Sequence, residues 1–184
     1  MQIMPAKFSS WLLFLILCLI WGSSFILMKE GMKHLNPYEV ASIRIFSGGL
    51  VLLPFAIKHI RQMTVSQTML AMASGWLGTF IPAFLFCIAE QKISSSLASF
   101  LNALTPIFTI VCGLLFFQTK VAGSKILGVF IGFTGMLLLF LASSGNTFRN
   151  GAYAGWVVLA TFLYGLNVNL VSGQLRHLPS FYIT

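Results

Sequence analysis

Aspartate is absent from this chain of 184 residues, and glutamate occurs only at Glu30, Glu39 and Glu90. Catalysis by a pair of carboxylates, or by a Ser-His-Asp triad, needs acidic residues in a defined arrangement. The three histidines are dispersed along the chain and define no site either. The shortage of acidic residues therefore argues against an enzyme, and we expect no catalytic residues.

Charged residues of both signs are scarce, at 8% of the chain, whereas 58% of the residues are hydrophobic. The mean hydropathy is +0.92. A soluble domain has roughly a quarter of its residues charged, because charges cover the surface that faces water. This chain cannot cover such a surface, so the composition predicts an integral membrane protein with the lipid bilayer as a partner.

The net charge of +8 comes from 11 basic residues that lie singly or in pairs at the ends of apolar runs. A nucleic-acid-binding surface needs a basic stripe or cluster, and the sequence contains none. Basic residues that flank apolar runs instead orient helices in a membrane. We therefore expect no nucleic-acid partner.

The three cysteines, Cys18, Cys87 and Cys112, all lie inside apolar runs. They lack the paired spacing of a metal site, and no histidine lies close to them in the sequence. We therefore expect small buried side chains, with no metal site and no cofactor.

Six apolar runs are long enough to cross a bilayer, whose hydrocarbon core requires about 20 residues of helix. Lipid offers no partner to bare backbone groups, so these runs are predicted to be helices in an all-α polytopic bundle. The runs extend from Trp11 to Met28, Tyr38 to Ile57, Gln67 to Ala89, Ser94 to Phe117, Gly123 to Ala142 and Ala152 to Val171. The segment from His177 to Thr184 is predicted to begin a seventh helix.

The distribution of lysine and arginine predicts the orientation of these helices. Six basic residues flank the side on which the chain begins, and four flank the other side. The excess predicts a cytoplasmic N-terminus in the inner membrane of a bacterium. The six are Lys7, Lys58, Arg61, Lys120, Lys125 and Arg176, and the four are Lys29, Lys33, Lys92 and Arg149.

A weak internal repeat relates the first run to the sixth. The shift that places Trp21-Gly22 on Tyr164-Gly165 also places Ser24 on Asn167. His34-Leu35 falls on His177-Leu178 under the same shift. Five runs separate the two starts, and an odd number inverts the second copy in the membrane, as in many secondary transporters.

Three sequence features resemble EamA-type members of the drug/metabolite transporter superfamily. The first is Trp21-Gly22-Ser23-Ser24-Phe25, and the second is Asn36-Pro37 followed by Arg44. The most specific is the segment from Ala89 through Ser94-Ser95-Ser96 to Asn102-Ala103-Leu104-Thr105-Pro106-Ile107-Phe108, which is similar to the region of the family's fourth helix.

The resemblance implies a bundle of ten helices, built from two inverted five-helix repeats with both termini cytoplasmic. It places the first repeat at residues 9–142 and the start of the second at residues 152–184. The fold expected of this chain is therefore truncated in the second repeat, with three to four helices missing. One departure is Gln118-Thr119-Lys120, where the family carries an acidic residue followed by a basic one.

Charged residues within or beside the apolar runs are the first candidates for substrate binding. Arg44 lies about seven residues into its helix. It reaches the headgroups, forms a structural ion pair with Glu39 or Glu90, or anchors a substrate carboxylate. Glu90 is either a solvated loop carboxylate paired with Lys92 or a proton-coupling or cation-attracting group at the mouth of a cavity.

Uncharged polar residues supply the other candidates. Asn102 and Thr105 share a helix face beside Pro106, which removes a backbone hydrogen bond, and they either join two helices or line a wet cavity. The repeat predicts that matched residues of its two copies form opposite walls of one central site. These residues are Trp21 and Ser24 in the first copy and Tyr164 and Asn167 in the second. Gly128 with Gly132, and Gly151 with Gly155, have the GxxxG spacing and are predicted to mark close helix packing.

Two functional hypotheses follow. The preferred one is a secondary transporter that exports small metabolites, amino acids or drug-like compounds by alternating access. The alternative is a truncated membrane module or regulatory fragment without transport of its own. Such a fragment must pair with missing C-terminal helices or form a homodimer, because its polar faces would otherwise contact lipid.

Overall fold

The structure is a computed structural model that describes residues 6–60, 63–142 and 150–176, without the side chains of residues 6–9, 55 and 58–60. The described chain folds into long helices, with no strand in these ranges. We number six of them in chain order as α1 to α6. The predicted seventh helix, from His177 to Thr184, lies outside the described residues.

The first two helices and the fifth are regular. They are α1 (Ala6–Gly31), α2 (Pro37–Ile60) and α5 (Gly123–Ala142). The third helix, α3, comprises Val65–Gly75, a π-helical turn at Trp76–Phe80, and Ile81–Glu90. The fourth, α4, comprises Ser95–Asn102 and Thr105–Phe116. The sixth, α6, comprises Gly151–Leu170 and a π-helical turn at Val171–Leu175.

Five helices among the described residues are long and apolar enough to cross a membrane, which confirms the predicted all-α polytopic membrane fold. They lie at Ser10–Gly31, Val65–Glu90, Ser95–Phe116, Gly123–Ala142 and Gly151–Leu175. The second predicted run corresponds to α2, a helix of 24 residues that includes the undescribed side chains of residues 55 and 58–60. Helix α2 is not one of the five membrane-spanning candidates.

Side-chain caps fix where three of the helices begin. Asn36 and Glu39 cap α2 reciprocally, since the Glu39 amide donates to Asn36 Oδ1 at 2.9 Å and the Asn36 amide donates to Glu39 Oε2 at 2.8 Å. Thr64 caps α3 in the same way with Gln67. Ser94 Oγ accepts from the Leu97 amide at the start of α4. Such caps satisfy donors that the helix itself leaves unpaired.

Two prolines explain the irregular turns in α3 and α4. Proline has no amide hydrogen, and its ring clashes with the carbonyl four residues earlier. Pro82 follows the π-helical turn of α3, and Pro106 follows the two residues, Ala103 and Leu104, that separate the halves of α4. The predicted loss of a hydrogen bond at Pro106 thus coincides with an actual break in the helix.

The helix at the centre of the bundle is α6, which packs most extensively on the second halves of α3 and α4. Gly165 allows the contact with α4, because a Cβ there would lie 2.7 Å from the backbone carbon of Phe108. The buried apolar core contains residues from all six helices, most of them on α3, α4 and α6, among them Phe86, Leu97 and Val157.

The prediction of close packing at the two GxxxG pairs is wrong for the described residues. A Cβ at Gly128, Gly132, Gly151 or Gly155 would meet nothing within 4 Å. These glycines lie on helix faces that no described helix covers. The cysteine prediction holds for Cys87 and Cys112, which are buried, but Cys18 is exposed on the largely uncovered helix α1.

Candidate substrate-binding cavity

A cavity of about 600 Å³ lies at the centre of the bundle, between α1, α2, α3, α4 and α6. We call it the central cavity. Its volume is within the range that holds a small organic ligand. The lining is mostly apolar, with a few hydroxyl and amide groups and one guanidinium group. That composition suits an amphipathic solute that is bound by contact with rings and by a small number of polar anchors.

Seven of the eight candidate residues line the central cavity. They are Trp21, Ser24, Arg44, Asn102, Thr105, Tyr164 and Asn167. The eighth, Glu90, does not line it. The structure therefore brings together candidate residues from four helices, α1, α2, α4 and α6, that are far apart in the sequence. Their part in binding stays a prediction.

The matched residues of the internal repeat face this one cavity. Trp21 and Ser24 contribute from α1, and Tyr164 and Asn167 contribute from α6. A row of rings joins the two helices, because Phe86 on α3 lies 5.6 Å from Phe25 and 6.1 Å from Tyr164 between ring centroids. Aromatic faces at these separations form a continuous apolar wall.

Arg44 is the charged residue of the lining. Its Nη2 donates to Ser24 Oγ at 3.4 Å, and its Nη1 contacts Met28 Sδ. The predicted ion pair with Glu39 or Glu90 is wrong, since the ion pair in the described part of the chain joins Lys33 to Glu30. Because Glu39 caps α2 instead, the guanidinium charge faces the cavity without a carboxylate partner.

Glu90 is fully buried at the end of α3, so the prediction of a solvated loop carboxylate paired with Lys92 is wrong. Lys29 extends over this end of the helix, and its Nζ donates to the backbone oxygens of Glu90 and of Ile93, the latter at 3.0 Å. Neither carboxylate oxygen of Glu90 has a hydrogen-bond partner among the described residues. Glu90 lies one helical turn beyond Phe86, so it sits on the cavity-facing side of α3 but beyond the lining. A proton-coupling role stays a prediction.

The two interpretations of the polar face of α4 apply to different residues. Asn102 and Thr105 line the cavity, with Thr105 Oγ1 at 3.5 Å from Asn102 Oδ1. Thr109 instead contributes to helix packing, because Asn169 Nδ2 on α6 donates to its backbone oxygen at 2.8 Å. The break before Pro106 lies between the two lining residues, Asn102 and Thr105, and Thr109 follows one helical turn after Thr105.

Sequence analysis did not identify Gly78, whose lack of a side chain shapes the cavity wall. A Cβ at Gly78 would overlap the side-chain amide of Asn167. The Oδ1 atom of Asn167 is buried without a hydrogen-bond partner in the described structure. A glycine four residues before Pro82, at the position whose carbonyl the proline ring displaces, was the available signal. Its significance depends on α6, which the local sequence does not reveal.

Curated relatives resemble the chain over most of its length. It is 25% identical over 140 residues to an "Uncharacterized transporter" of Archaeoglobus fulgidus, which covers 75% of this chain and 50% of the relative. It is 28% identical over 129 residues to a "Probable amino-acid metabolite efflux pump" of Salmonella typhimurium, covering 70% and 42%. It is 26% identical over 167 residues to the "Uncharacterized inner membrane transporter YedA" of Escherichia coli, covering 86% and 54%.

The chain spans about half the length of these relatives. No solved structure matches it at a significant level. Residues 9–141 match the model of the EamA-like transporter family. The match covers most of the chain and confirms the resemblance found in the first helix, in Asn36-Pro37 and in the region of α4. The protein therefore belongs to the EamA-like transporter family.

Proposed function

We propose that this chain forms the cavity-bearing part of a secondary transporter that exports small metabolites, amino acids or drug-like compounds across the bacterial inner membrane. The observation that carries the proposal is the central cavity, in which matched residues of α1 and α6 face each other. Membership of a transporter family supports it. So do the printed names of the relatives, one of which is an amino-acid metabolite efflux pump.

Interrupted helices beside the binding site are common in transporters that work by alternating access. The π-helical turn before Pro82 and the break before Pro106 both adjoin the cavity, through Gly78 and Thr79 on α3 and through Thr105 on α4. Interrupted backbone at membrane depth is tolerated where it lines a cavity, and discontinuous helices commonly surround the substrate in secondary transporters. These two segments are our candidates for the moving elements.

Transport by reconstituted protein tests the proposal. The full-length protein and the 184-residue chain are each placed in proteoliposomes and tested with two panels, one of labelled amino acids and one of lipophilic amines. We expect the full-length protein to move at least one compound faster than protein-free liposomes. If neither panel contains a transported compound, the transporter proposal is contradicted.

Replacing Asn102 with leucine tests whether the polar face of α4 belongs to the site. Asn102→Leu is expected to lower kcat/KM for the transported compound several-fold, because a neutral hydrogen bond contributes about 0.5–1.5 kcal/mol. The control is Thr134→Val on α5, where the hydroxyl donates only to the Phe130 backbone and does not line the cavity. Equal rates for both variants would remove Asn102 from the site.

The alternative, a module that acts only when paired, is favoured by the exposure of the first helix. Trp21 lines the central cavity yet is 67% exposed, so this side of the cavity is not closed by a described helix. Further C-terminal helices or a second copy of the chain would close it. Co-purification of two differently tagged copies from mixed membranes would support a homodimer, and its absence would leave additional helices as the partner.

The proposed orientation has its own test. The excess of lysine and arginine on the side where α1 begins predicts a cytoplasmic N-terminus. A fluorescent-protein reporter fused to the N-terminus should therefore be active, and an alkaline phosphatase reporter at the same place should be inactive. The reverse pattern would place the start of α1 outside the cytoplasm.

A further inference from the structure

A second cavity, of about 440 Å³, adjoins the central one on the side of the bundle where α1 begins. It lies between the second half of α4, residues 119–121, α5 and α6. Thr105 and Pro106 line both cavities. The two cavities are therefore neighbours that share the residues directly after the break in α4.

Hydrogen bonds hold the wall of the second cavity in place. Thr109 Oγ1 donates to the Thr105 backbone oxygen at 2.8 Å, and Asn169 Nδ2 donates to the backbone oxygens of Thr109 and Gly165, each at 2.8 Å. Hydroxyl and amide groups thus occupy fixed positions on the α4 and α6 sides. A wall held by such bonds is a defined surface rather than a gap between loosely packed helices.

The turn after α4 brings a lysine to the mouth of this cavity. Gln118 adopts a left-handed conformation with φ of 50°, which ends the helix and returns the chain towards α4. The Thr119 amide then donates to the Gly113 backbone oxygen at 2.9 Å. This bond holds the start of the turn against α4, and Lys120 follows directly. Lys125 reaches the same cavity from the first turns of α5.

The charges of the two cavities have a single sign. Lys120 and Lys125 line the second cavity and Arg44 lines the central one, whereas no carboxylate lines either. The two lysines form no ion pair within the described ranges. The segment Gln118-Thr119-Lys120 replaces the acidic residue followed by a basic one that the family resemblance leads us to expect, and neither Gln118 nor Thr119 supplies a counter-charge to Lys120. The three glutamates lie on the other side of the bundle from the two lysines. Glu30 is near the end of α1, Glu39 near the start of α2 and Glu90 at the end of α3.

We infer that the second cavity is a vestibule selective for solutes that carry an anionic group, a carboxylate or a phosphate. The solute passes Thr105 and Pro106 to reach Arg44 in the central cavity. Uncompensated cations that line a cavity raise the local concentration of anions. The inference rests on the proposed function, because it makes the vestibule one end of a solute pathway. A lipid headgroup offers the same phosphate chemistry, so the experiment must separate the two sources.

Thiol modification by reagents of opposite charge tests the vestibule without any transport measurement. Val121, which lines the cavity, is changed to cysteine in the full-length protein. The exposed Cys18 is first replaced by serine, so that it does not react. The same protein without Val121→Cys measures the background reaction of the buried thiols. The reagents are methanethiosulfonates bearing either a sulfonate or a trimethylammonium group. The control is Ser66→Cys, an exposed residue at the start of α3 on the same side of the bundle.

We expect the ratio of anionic to cationic modification rates to be about tenfold higher for Val121→Cys than for Ser66→Cys, because two nearby ammonium groups attract one reagent and repel the other. Adding Lys120→Gln and Lys125→Gln should reduce the ratio to that of the control. Equal ratios at the two positions, or a ratio that survives removal of both lysines, would overturn the inference.

The lipid source is separated by repeating the measurement in two kinds of nanodisc. Neutral phosphatidylcholine gives one condition, and an equal mixture with anionic phosphatidylglycerol gives the other. If the excess over the Ser66→Cys control persists in both, the vestibule is open to solutes. If phosphatidylglycerol abolishes it, headgroups occupy the lysines and the solute pathway is refuted. A protein that keeps the preference but transports nothing in either panel contradicts the proposed function and not the anion selectivity.

Discussion

Arg44→Gln is expected to lower kcat/KM for a transported compound bearing a carboxylate by about ten- to a hundredfold. A hydrogen bond to a charged group contributes about 1.5–3 kcal/mol, and each 1.4 kcal/mol is a factor of ten. Arg44 is the cation that lines the central cavity, and its contacts there are Ser24 and Met28 rather than a carboxylate. A substrate carboxylate would therefore be its first charged partner.

The specificity of the Arg44 effect is checked with a pair of compounds that differ only in the carboxylate, such as phenylalanine and phenethylamine. The variant should lose transport of the first and retain that of the second, provided that the parent protein moves both. Lys33→Gln serves as the control, because Lys33 is an exposed cation outside the cavity that pairs with Glu30. An equal loss for both compounds would show that Arg44 supports the helices and does not anchor the carboxylate.

Gly165→Ala is expected to have the largest effect on stability. The new Cβ would lie 2.7 Å from the Phe108 backbone carbon and 2.9 Å from its backbone oxygen, and backbone cannot move aside as a flexible side chain can. Overpacking of this kind costs about 1–3 kcal/mol. In a chain of this size, 1 kcal/mol corresponds to roughly 2–4 °C in the unfolding midpoint. We therefore expect the midpoint in detergent to fall by several degrees.

The matched control for this change lies on the same helix. Gly155→Ala adds the same methyl group to α6, where nothing lies within 4 Å, so its midpoint should stay unchanged or rise slightly. The unfolding midpoint of each variant is measured by heating the protein and determining the remaining folded fraction by size-exclusion chromatography. Equal midpoints would mean that α4 and α6 do not approach each other as closely as the structure places them.

Much of the candidate site was predictable because polar residues are rare in this chain. Within an apolar run, a residue such as Arg44 or Asn102 is costly in lipid, so it must face a partner or a cavity. The repeat then related Trp21 to Tyr164 and Ser24 to Asn167, and the structure places all four on one cavity. Composition and spacing were therefore sufficient to propose which residues meet.

Glu90 shows where this reasoning stops. The polar residues after it suggested a loop, but α3 includes Glu90, and Lys29 from a distant part of the chain covers the end of the helix. Burial of this side chain depends on α1, which local sequence does not reveal. The glycines show the same limitation. GxxxG spacing selected Gly128 and Gly132, whereas the described glycines in close contact are Gly78, Gly113 and Gly165.

By itself the sequence determined the membrane environment, the existence and approximate bounds of the helices, and the family. The membrane environment and the helices depend on the cost of placing each segment in lipid, which is a sum over neighbouring residues. The family depends on short motifs, which are also local. Three features became visible only in the folded bundle: Glu90 is buried, Arg44 has no carboxylate partner among the described residues, and two cavities share Thr105 and Pro106 in their linings. These properties depend on contacts between helices far apart in the chain, and such contacts leave no periodic signal within any one helix.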